Sequence, residues 1–265
     1  MSRLAKRFEQ LKSQQRKALI SYVMAGDPHP EVTVPLLHKM VEAGVDVVEL
    51  GLPFSDPMAD GPVIALAAER ALAAGTSTLD ALNMVKTFRE QDKETPVVLM
   101  GYLNPIEVIG YENFVAKAHE SGVDGILLVD LPPEEADGFN QVLKNYDMNQ
   151  IFLLAPTSKD DRIQHVIKQA SGFIYYVSLK GVTGAATLNV EEAAERIAKI
   201  KQSTSVPVGV GFGINDAASA KAMGAVADAV IVGSALVKPF ATLPAEQAAE
   251  QTVNKIKELR AALDN

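Results

Sequence analysis

Short runs of apolar residues alternate with amphipathic stretches along the whole chain. Eight runs have the length and composition of β-strands, at residues 18–23, 45–50, 96–100, 123–129, 150–154, 173–177, 206–210 and 229–232. Several are apolar without alternation, which is typical of parallel strands covered on both faces, and the segments between them can hold crossover helices. The pattern predicts an α/β fold.

Eight strand and helix units favour a closed (β/α)8 TIM barrel, although an open doubly wound sheet has the same order of elements. The length of 265 residues suits a single TIM-barrel domain over residues 1–265. Leu4, Phe8 and Leu11 lie at helical spacing before the first strand and predict an additional N-terminal helix across the barrel floor.

A short motif with glycine recurs where helices are expected to end. Residues 42–46 and 120–124 both read Glu, a small residue, Gly, Val, Asp before a strand, so Gly44 and Gly122 fit helix C-terminal caps. A looser copy around Gly224 precedes the last strand and predicts the same turn. A final helix beginning near Pro244 is expected to pack through apolar residues 253, 256, 259 and 263.

The amino-acid composition limits the kinds of ligand, metal site and cellular location that we expect. The net charge of -8 argues against nucleic acid and membrane surfaces, which are met by clusters of Lys and Arg. The chain has no cysteine and four scattered histidines, which excludes a disulfide framework and gives no metal-ligand spacing. With no signal-like apolar start and no run near the roughly 18 apolar residues of a membrane span, we expect a cytoplasmic protein.

Two carboxylates follow the second predicted strand. Glu49 ends the apolar run, where barrel enzymes place catalytic groups and where burial would raise its pKa; the alternative is a buried ion pair. Asp60 precedes Gly61 and Pro62, which also fit a helix start, and Asp56 has a similar structural alternative. The residues alone do not rank Asp56 against Asp60.

Three further side chains follow predicted strands. Asp130, after the fourth strand, is interpreted as loop structure. Tyr102 and Tyr175 could reach the cleft or pack in the core.

Glycine clusters follow the last three strands, at residues 181–184, 209–214 and 233–235. Glycine lets backbone amides approach an anion, and a helix beginning at Ser234 would add its N-terminal N–H groups. Since the loops after strands seven and eight form the usual phosphate site of these barrels, the clusters predict a phosphate-bearing ligand.

The sequence resembles the tryptophan synthase α-subunit family. The likeness is carried by residues 49–61, ELGLPFSDPMADG, and by residues 26–28, 102–105, 130–132, 181–184, 211–214 and 232–235, in order along the chain. It implies a (β/α)8 barrel that reversibly cleaves indole-3-glycerol phosphate into indole and glyceraldehyde 3-phosphate without a metal or organic cofactor in this chain.

The resemblance also implies roles for single residues. Glu49 would be the general acid and base, and an ionised Asp60 would hold the ring N–H. Tyr175 would orient Glu49, and Thr183 would close over the substrate. The indole pocket would be lined by Tyr22, Met100, Tyr102, Val129, Leu153 and Phe212, and the phosphate would be bound by Gly184, Gly211, Gly213, Gly233 and Ser234.

The chain departs from the family pattern at three places. Tyr22 stands where phenylalanine is common and Met100 where leucine is common, so the pocket is expected to be slightly more polar. Leu179 and Lys180 follow Ser178, where many members have arginine after the serine, which leaves the contacts of the closing loop open.

The resemblance further implies an α2β2 complex, in which a β subunit carrying pyridoxal phosphate condenses indole with serine. Residues 53–60 with Asp56, the pair Asn104 and Pro105, and the Thr183 loop would face or signal to that partner. Asn104 and Pro105 could also form a simple turn. Two alternative functions are another sugar-phosphate barrel enzyme and a non-catalytic barrel that binds a phosphorylated ligand and activates a partner.

Overall fold

The strands form a closed parallel barrel. The computed structural model describes residues 2–178, 190–211 and 213–265. Each strand pairs in parallel with the next, and β8 pairs with β1. The strands are β1 Ala18–Met24, β2 Val47–Gly51, β3 Val97–Gly101, β4 Gly125–Leu128, β5 Asn149–Leu154, β6 Ile174–Val177, β7 Val208–Gly211 and β8 Ala229–Val232. The predicted (β/α)8 TIM barrel is confirmed, and the open sheet is wrong.

Helices surround the barrel and connect its strands. They are α1 Arg3–Ser13, α2 Pro30–Glu42, α3 Pro62–Ala73, α4 Thr78–Phe88, α5 Leu103–Ile109, α6 Tyr111–Ser121, α7 Asp137–Asn145, α8 Asp160–Gln169, α9 Val190–Lys201, α10 Ala217–Val226, α11 Ser234–Val237 and α12 Ala245–Asp264, with a 3-10 helix at Lys238–Ala241. Within the described residues, no helix is long and apolar enough to cross a membrane.

The strands are apolar without alternation because both of their faces are covered. Ile20, Val47 and Val98 point into the barrel, whereas Leu19 and Val48 pack under the helices. Burying both faces removes the polar positions that a half-exposed strand would show.

Helix α1 covers the amino end of the barrel. Its buried residues Leu4, Phe8 and Leu11 join the interior cluster, and the Phe8 ring centroid lies 6.1 Å from that of Phe173. The predicted N-terminal helix and its structural position are therefore confirmed.

The glycine turns before the strands follow the prediction in two places out of three. Gly44 and Gly122 adopt positive φ angles of 107° and 87° at helix ends, where other residues would be strained. Gly224 lies instead inside α10, and α10 ends at Val226. A Cβ atom there would lie 2.5 Å from Leu263 Cδ2, so this glycine permits close packing of α10 against α12.

The aspartates of the same motif stabilise the barrel floor. Asp46, Asp124 and Asp228 each accept a hydrogen bond from a backbone N–H of the preceding strand, at 2.9, 2.8 and 2.9 Å. Arg260 pairs with Asp46, and Arg89 pairs with Asp124, both at 2.9 Å. Buried carboxylates need such partners, so the motif ties neighbouring strands together at the end opposite the site.

Candidate active site

A cavity of about 290 Å³ opens at the carboxyl ends of the strands. Eight of the residues predicted to form the site line it: Tyr22, Glu49, Asp60, Met100, Tyr175, Gly213, Gly233 and Ser234. The fold thus brings both carboxylates and part of the glycine-rich end to one enclosed space.

Glu49 is a buried carboxyl group within this cavity. It lies on β2 beside Tyr22 of β1 and is 1 % exposed. Its Oε1 atom has no hydrogen-bonding partner among the described residues. Burial raises its pKa from 4.5 to about 8, because the charged form loses its hydration. The protonated form of the carboxyl group therefore predominates at pH 7, and a minor fraction is ionised.

Asp60 stands at the entrance to α3. Gly61 is the N-cap and Pro62 begins the helix, so the predicted helix start is confirmed. The Tyr102 hydroxyl donates a hydrogen bond of 3.0 Å to Asp60 Oδ2 and accepts one of 3.0 Å from the Ala59 N–H. Burial raises the pKa of Asp60, and the hydrogen bond from Tyr102 opposes this rise by favouring the anion.

Backbone groups form the other end of the cavity. Gly213 has a φ of 77°, a conformation that favours glycine, and Gly233 is the N-cap of α11, which begins at Ser234 as predicted. The first N–H groups of a helix have no acceptor within it, so those at Ser234 and Ala235 are free of helical bonding. The described residues that line the cavity include no lysine or arginine.

Two tyrosines lie over glycines of the next strand. A Cβ atom at Gly51 would come within 2.1 Å of the Tyr22 hydroxyl oxygen, and one at Gly211 within 2.3 Å of the Tyr175 hydroxyl oxygen. Gly211 was predicted among the phosphate-binding residues, but it is absent from the described cavity lining. The lack of a Cβ atom at Gly211 makes room for the Tyr175 ring.

Not every predicted pocket residue reaches the main cavity. Tyr102 and Val129 line a neighbouring pocket of about 10 Å³. Leu153 lines another space, with Ser158 and Arg162, and also packs against the interior cluster that contains Tyr175, so its place in the indole pocket stays a prediction. Three other candidates, Thr183, Gly184 and Phe212, and the departures Leu179 and Lys180, lie outside the described residues.

The predicted partner-facing residues lie near the same rim. Asp56 is exposed and accepts a hydrogen bond of 2.5 Å from the Ser55 hydroxyl. Asn104 and Pro105 lie within α5, so their alternative interpretation as a simple turn is wrong. Asp130 accepts a hydrogen bond of 2.8 Å from the N–H of Leu103, the first residue of α5, in agreement with its structural interpretation.

Six lining residues had no individual role predicted, although Ile214 and Ala235 lie in the glycine clusters: Gly61, Ile64, Ile214, Asn215, Ile231 and Ala235. The alternation of inward and outward residues along the last strand could have identified Ile231. Ile64 lies on the first turn of α3, and the sequence gives no signal for its contact with the cavity. No cluster of side chains suited to a metal ion occurs in the described part of the chain.

Comparison with known proteins identifies the family. The family model for the tryptophan synthase alpha chain matches residues 8–265. The chain belongs to the tryptophan synthase alpha chain family. The Acinetobacter baylyi tryptophan synthase alpha chain is 84% identical over 264 residues, covering 100% of this chain and 99% of the relative. An Acinetobacter baumannii alpha chain is 81% identical with the same coverage.

Solved structures of the family have the same fold. Tryptophan synthase subunit alpha from Legionella pneumophila is 43% identical, with a TM-score of 0.93 over 100% of this chain and 99% of that one. A chain of Mycobacterium tuberculosis tryptophan synthase is 32% identical, with a TM-score of 0.89 over 99% and 100%. The resemblance stated from the sequence is confirmed, and membership implies a β-subunit partner.

Proposed function

We propose that the chain reversibly cleaves indole-3-glycerol phosphate into indole and glyceraldehyde 3-phosphate, as a carbon–carbon lyase in tryptophan biosynthesis. The observation that carries the assignment is one enclosed cavity with Glu49, Asp60 and the Gly213 and Ser234 backbone around it. Membership in the family supplies the reaction, and the cavity supplies groups suited to each of its steps.

Glu49 is the proposed general acid and base. Cleavage requires a proton at indole C3 and removal of a proton from the side-chain hydroxyl next to the breaking bond. A group with a pKa of about 8 has both forms available near neutral pH, which is the condition for donating a proton and taking one back. Tyr175, which lines the same cavity, is proposed to orient this carboxyl group.

Asp60 is proposed to accept the ring N–H and to stabilise the positive charge that develops on the ring when C3 is protonated. This task needs the anion. Tyr102 favours the anion through its hydrogen bond to Oδ2, so Tyr102 is a positioning residue for Asp60. The two carboxyl groups thus take different roles because their surroundings differ.

The phosphate is proposed to lie at the glycine-rich end. At Gly213 and Gly233 the backbone can approach a phosphate closely. Ser234 offers the N–H at the start of α11 and one hydroxyl group. Gly184 and Gly211 were also predicted here; Gly184 lies outside the described residues, and phosphate binding by Gly211 stays a prediction.

The ring is proposed to lie among the apolar walls of the cavity, which include Tyr22, Met100, Ile64 and Ile231. Val129 contributes through the neighbouring small pocket. Roles for Leu153, Phe212 and Thr183 rest on the family resemblance alone.

The chain is proposed to act without a cofactor of its own, in an α2β2 complex with a β subunit that holds pyridoxal phosphate. Asp56, Asn104 and Pro105 are proposed to face that subunit. Two apolar side chains beside them support this surface, since Met58 is 86% exposed and Val108 is 82% exposed. A cytoplasmic location and a single domain over residues 1–265 belong to the same proposal.

The test is indole release from indole-3-glycerol phosphate by the chain with its β subunit. Glu49→Gln keeps the shape of the side chain but cannot exchange a proton, so we expect kcat to fall by roughly 10²- to 10⁴-fold. Glu69→Gln, an exposed position on α3, is the matched control and should keep the wild-type rate. Indole release by Glu49→Gln at the rate of the control would refute this role of Glu49. No indole release by the wild type would refute the lyase reaction and favour a non-catalytic barrel.

A further inference from the structure

A second, much smaller pocket adjoins the main cavity. Its volume of about 10 Å³ suits one water-sized group. Tyr22, Asp60 and Met100 line both spaces and therefore form the boundary between them. The remaining walls are mostly apolar and come from Met24, Leu52, Phe54, Pro57, Ala68, Gly101, Tyr102 and Val129.

Two tyrosine hydroxyls at this pocket differ in the strength of their hydrogen-bonding partners. The Tyr102 hydroxyl already donates to Asp60 and accepts from the Ala59 N–H. The Tyr22 hydroxyl has one hydrogen-bonding partner among the described residues, Met24 Sδ at 3.9 Å, and a thioether is a weak acceptor. Tyr22 is 5% exposed, so any stronger partner of its hydroxyl must come from what occupies the two cavities that Tyr22 lines.

The position of the Tyr22 hydroxyl is fixed by the barrel. It lies against the backbone of Gly51, where a Cβ atom would come within 2.1 Å. Met24, its sulfur contact, lies on the same strand and faces the same interior. A buried donor held in place without a strong acceptor is unfavourable. A ligand with an acceptor at this point therefore gains more binding free energy than a ligand with a methyl group there.

We propose that the small pocket is a ring-substituent subsite, which takes one hydroxyl group on the six-membered ring of the indole substrate and binds it through a hydrogen bond donated by Tyr22. The inference rests on the proposed function, because it takes the ring to lie in the main cavity. The volume excludes larger groups, and the neighbouring Asp60 carboxylate disfavours anionic ones. Tyr22 is then a specificity-determining residue for the known reaction.

The experiment measures condensation of indoles with glyceraldehyde 3-phosphate by the chain with its β subunit, with serine omitted. Each isomer of hydroxyindole that carries its hydroxyl on the six-membered ring is compared with the methylindole substituted at the same carbon. The two substituents are similar in size, so the ratio of their kcat/KM values reports hydrogen bonding together with the electronic effect of the hydroxyl.

Tyr22→Phe removes the donor and leaves the electronic effect unchanged. Comparing the ratios in the two proteins therefore isolates the contact. Tyr146→Phe makes the same atomic change outside the cavity and is the matched control.

We expect the hydroxyl-to-methyl ratio to fall about 3- to 10-fold in Tyr22→Phe for at least one isomer, the range of one neutral hydrogen bond, and to be unchanged in Tyr146→Phe. A ratio within about two-fold of wild type in Tyr22→Phe at every ring position would overturn the subsite, as would a wild-type protein that accepts methylindoles and no hydroxyindole. Failure of the wild type to condense unsubstituted indole would refute the proposed function instead.

Discussion

Replacing Glu49 by glutamine should change how stability depends on pH. The carboxyl group is 1 % exposed and its pKa is raised from 4.5 to about 8. Below about pH 4.5 it is protonated in both the folded and the unfolded chain. Between that pH and about 8 only the folded chain holds the proton, so the free energy of unfolding falls as pH rises.

The size of the effect follows from the pKa change. At about 1.4 kcal/mol for each pH unit, a rise from 4.5 to about 8 corresponds to about 5 kcal/mol lost by the wild type across this range. Glutamine has no proton to lose, so Glu49→Gln should gain about 5 kcal/mol relative to wild type between about pH 4.5 and about pH 9. Above about pH 8 the difference should stop growing, because both states of the wild type are then ionised.

The assay is urea unfolding of wild type, Glu49→Gln and Glu69→Gln at a series of pH values, with the free energy of unfolding extrapolated to water. The exposed Glu69 should give a difference from wild type that stays nearly constant with pH. If the difference in free energy of unfolding between Glu49→Gln and wild type changes by less than about 1 kcal/mol across the pH series, the raised pKa and the reasoning from burial are refuted.

Three other substitutions test separate parts of the structure. Tyr102→Phe removes the hydrogen bond that favours the Asp60 anion, so the pKa of Asp60 should rise and the acid limb of the kcat profile should move to higher pH; an unmoved limb would contradict the role given to Tyr102. Gly211→Ala introduces a Cβ atom within 2.3 Å of the Tyr175 hydroxyl oxygen, which should force that ring into the cavity and raise KM or lower kcat by about tenfold or more; wild-type kinetics would show that the ring yields without cost. Phe8→Ala should lower the free energy of unfolding by about 3 to 5 kcal/mol in urea, with kcat retained, because it opens the packing of α1 beneath the barrel; a change below about 1 kcal/mol would mean that α1 contributes little.

The barrel could be predicted because its strands are buried on both faces and its helices on one. Continuous apolar runs and helical spacing follow directly from that burial. The turn at Gly224 was predicted wrongly, because a glycine near a helix end can serve either as a cap or as a site of close helix packing. The contact with Leu263 that decides between them is distant in sequence.

The aspartates of the repeated motif show the same limit. Asp46 and Asp124 were seen as parts of a recurring turn, while their hydrogen bonds to neighbouring strands and their pairing with Arg260 and Arg89 depend on the closed barrel. Ion pairs between residues so far apart leave no local pattern in the sequence.

The positions of Glu49 and Asp60 could be predicted because Glu49 lies near the end of an apolar strand and Asp60 directly precedes the N-cap of α3. Both elements have a clear sequence signal. The space that Leu153 lines with Ser158 and Arg162 could not be predicted, since it depends on the tilt and register of β5 within the barrel. The contact of Ile64 with the cavity depends likewise on how α3 packs across the strands.

The arrangement of the two carboxyl groups around the ring is tested most directly by a crystal structure of the chain with its β subunit and an indole alkyl phosphate that cannot be cleaved. The account predicts the ring N–H within hydrogen-bonding distance of Asp60, the Glu49 carboxyl group beside C3, and the phosphate on backbone N–H groups at Gly213 and Ser234. A ring bound away from both carboxyl groups, or a phosphate held at another surface, would contradict it.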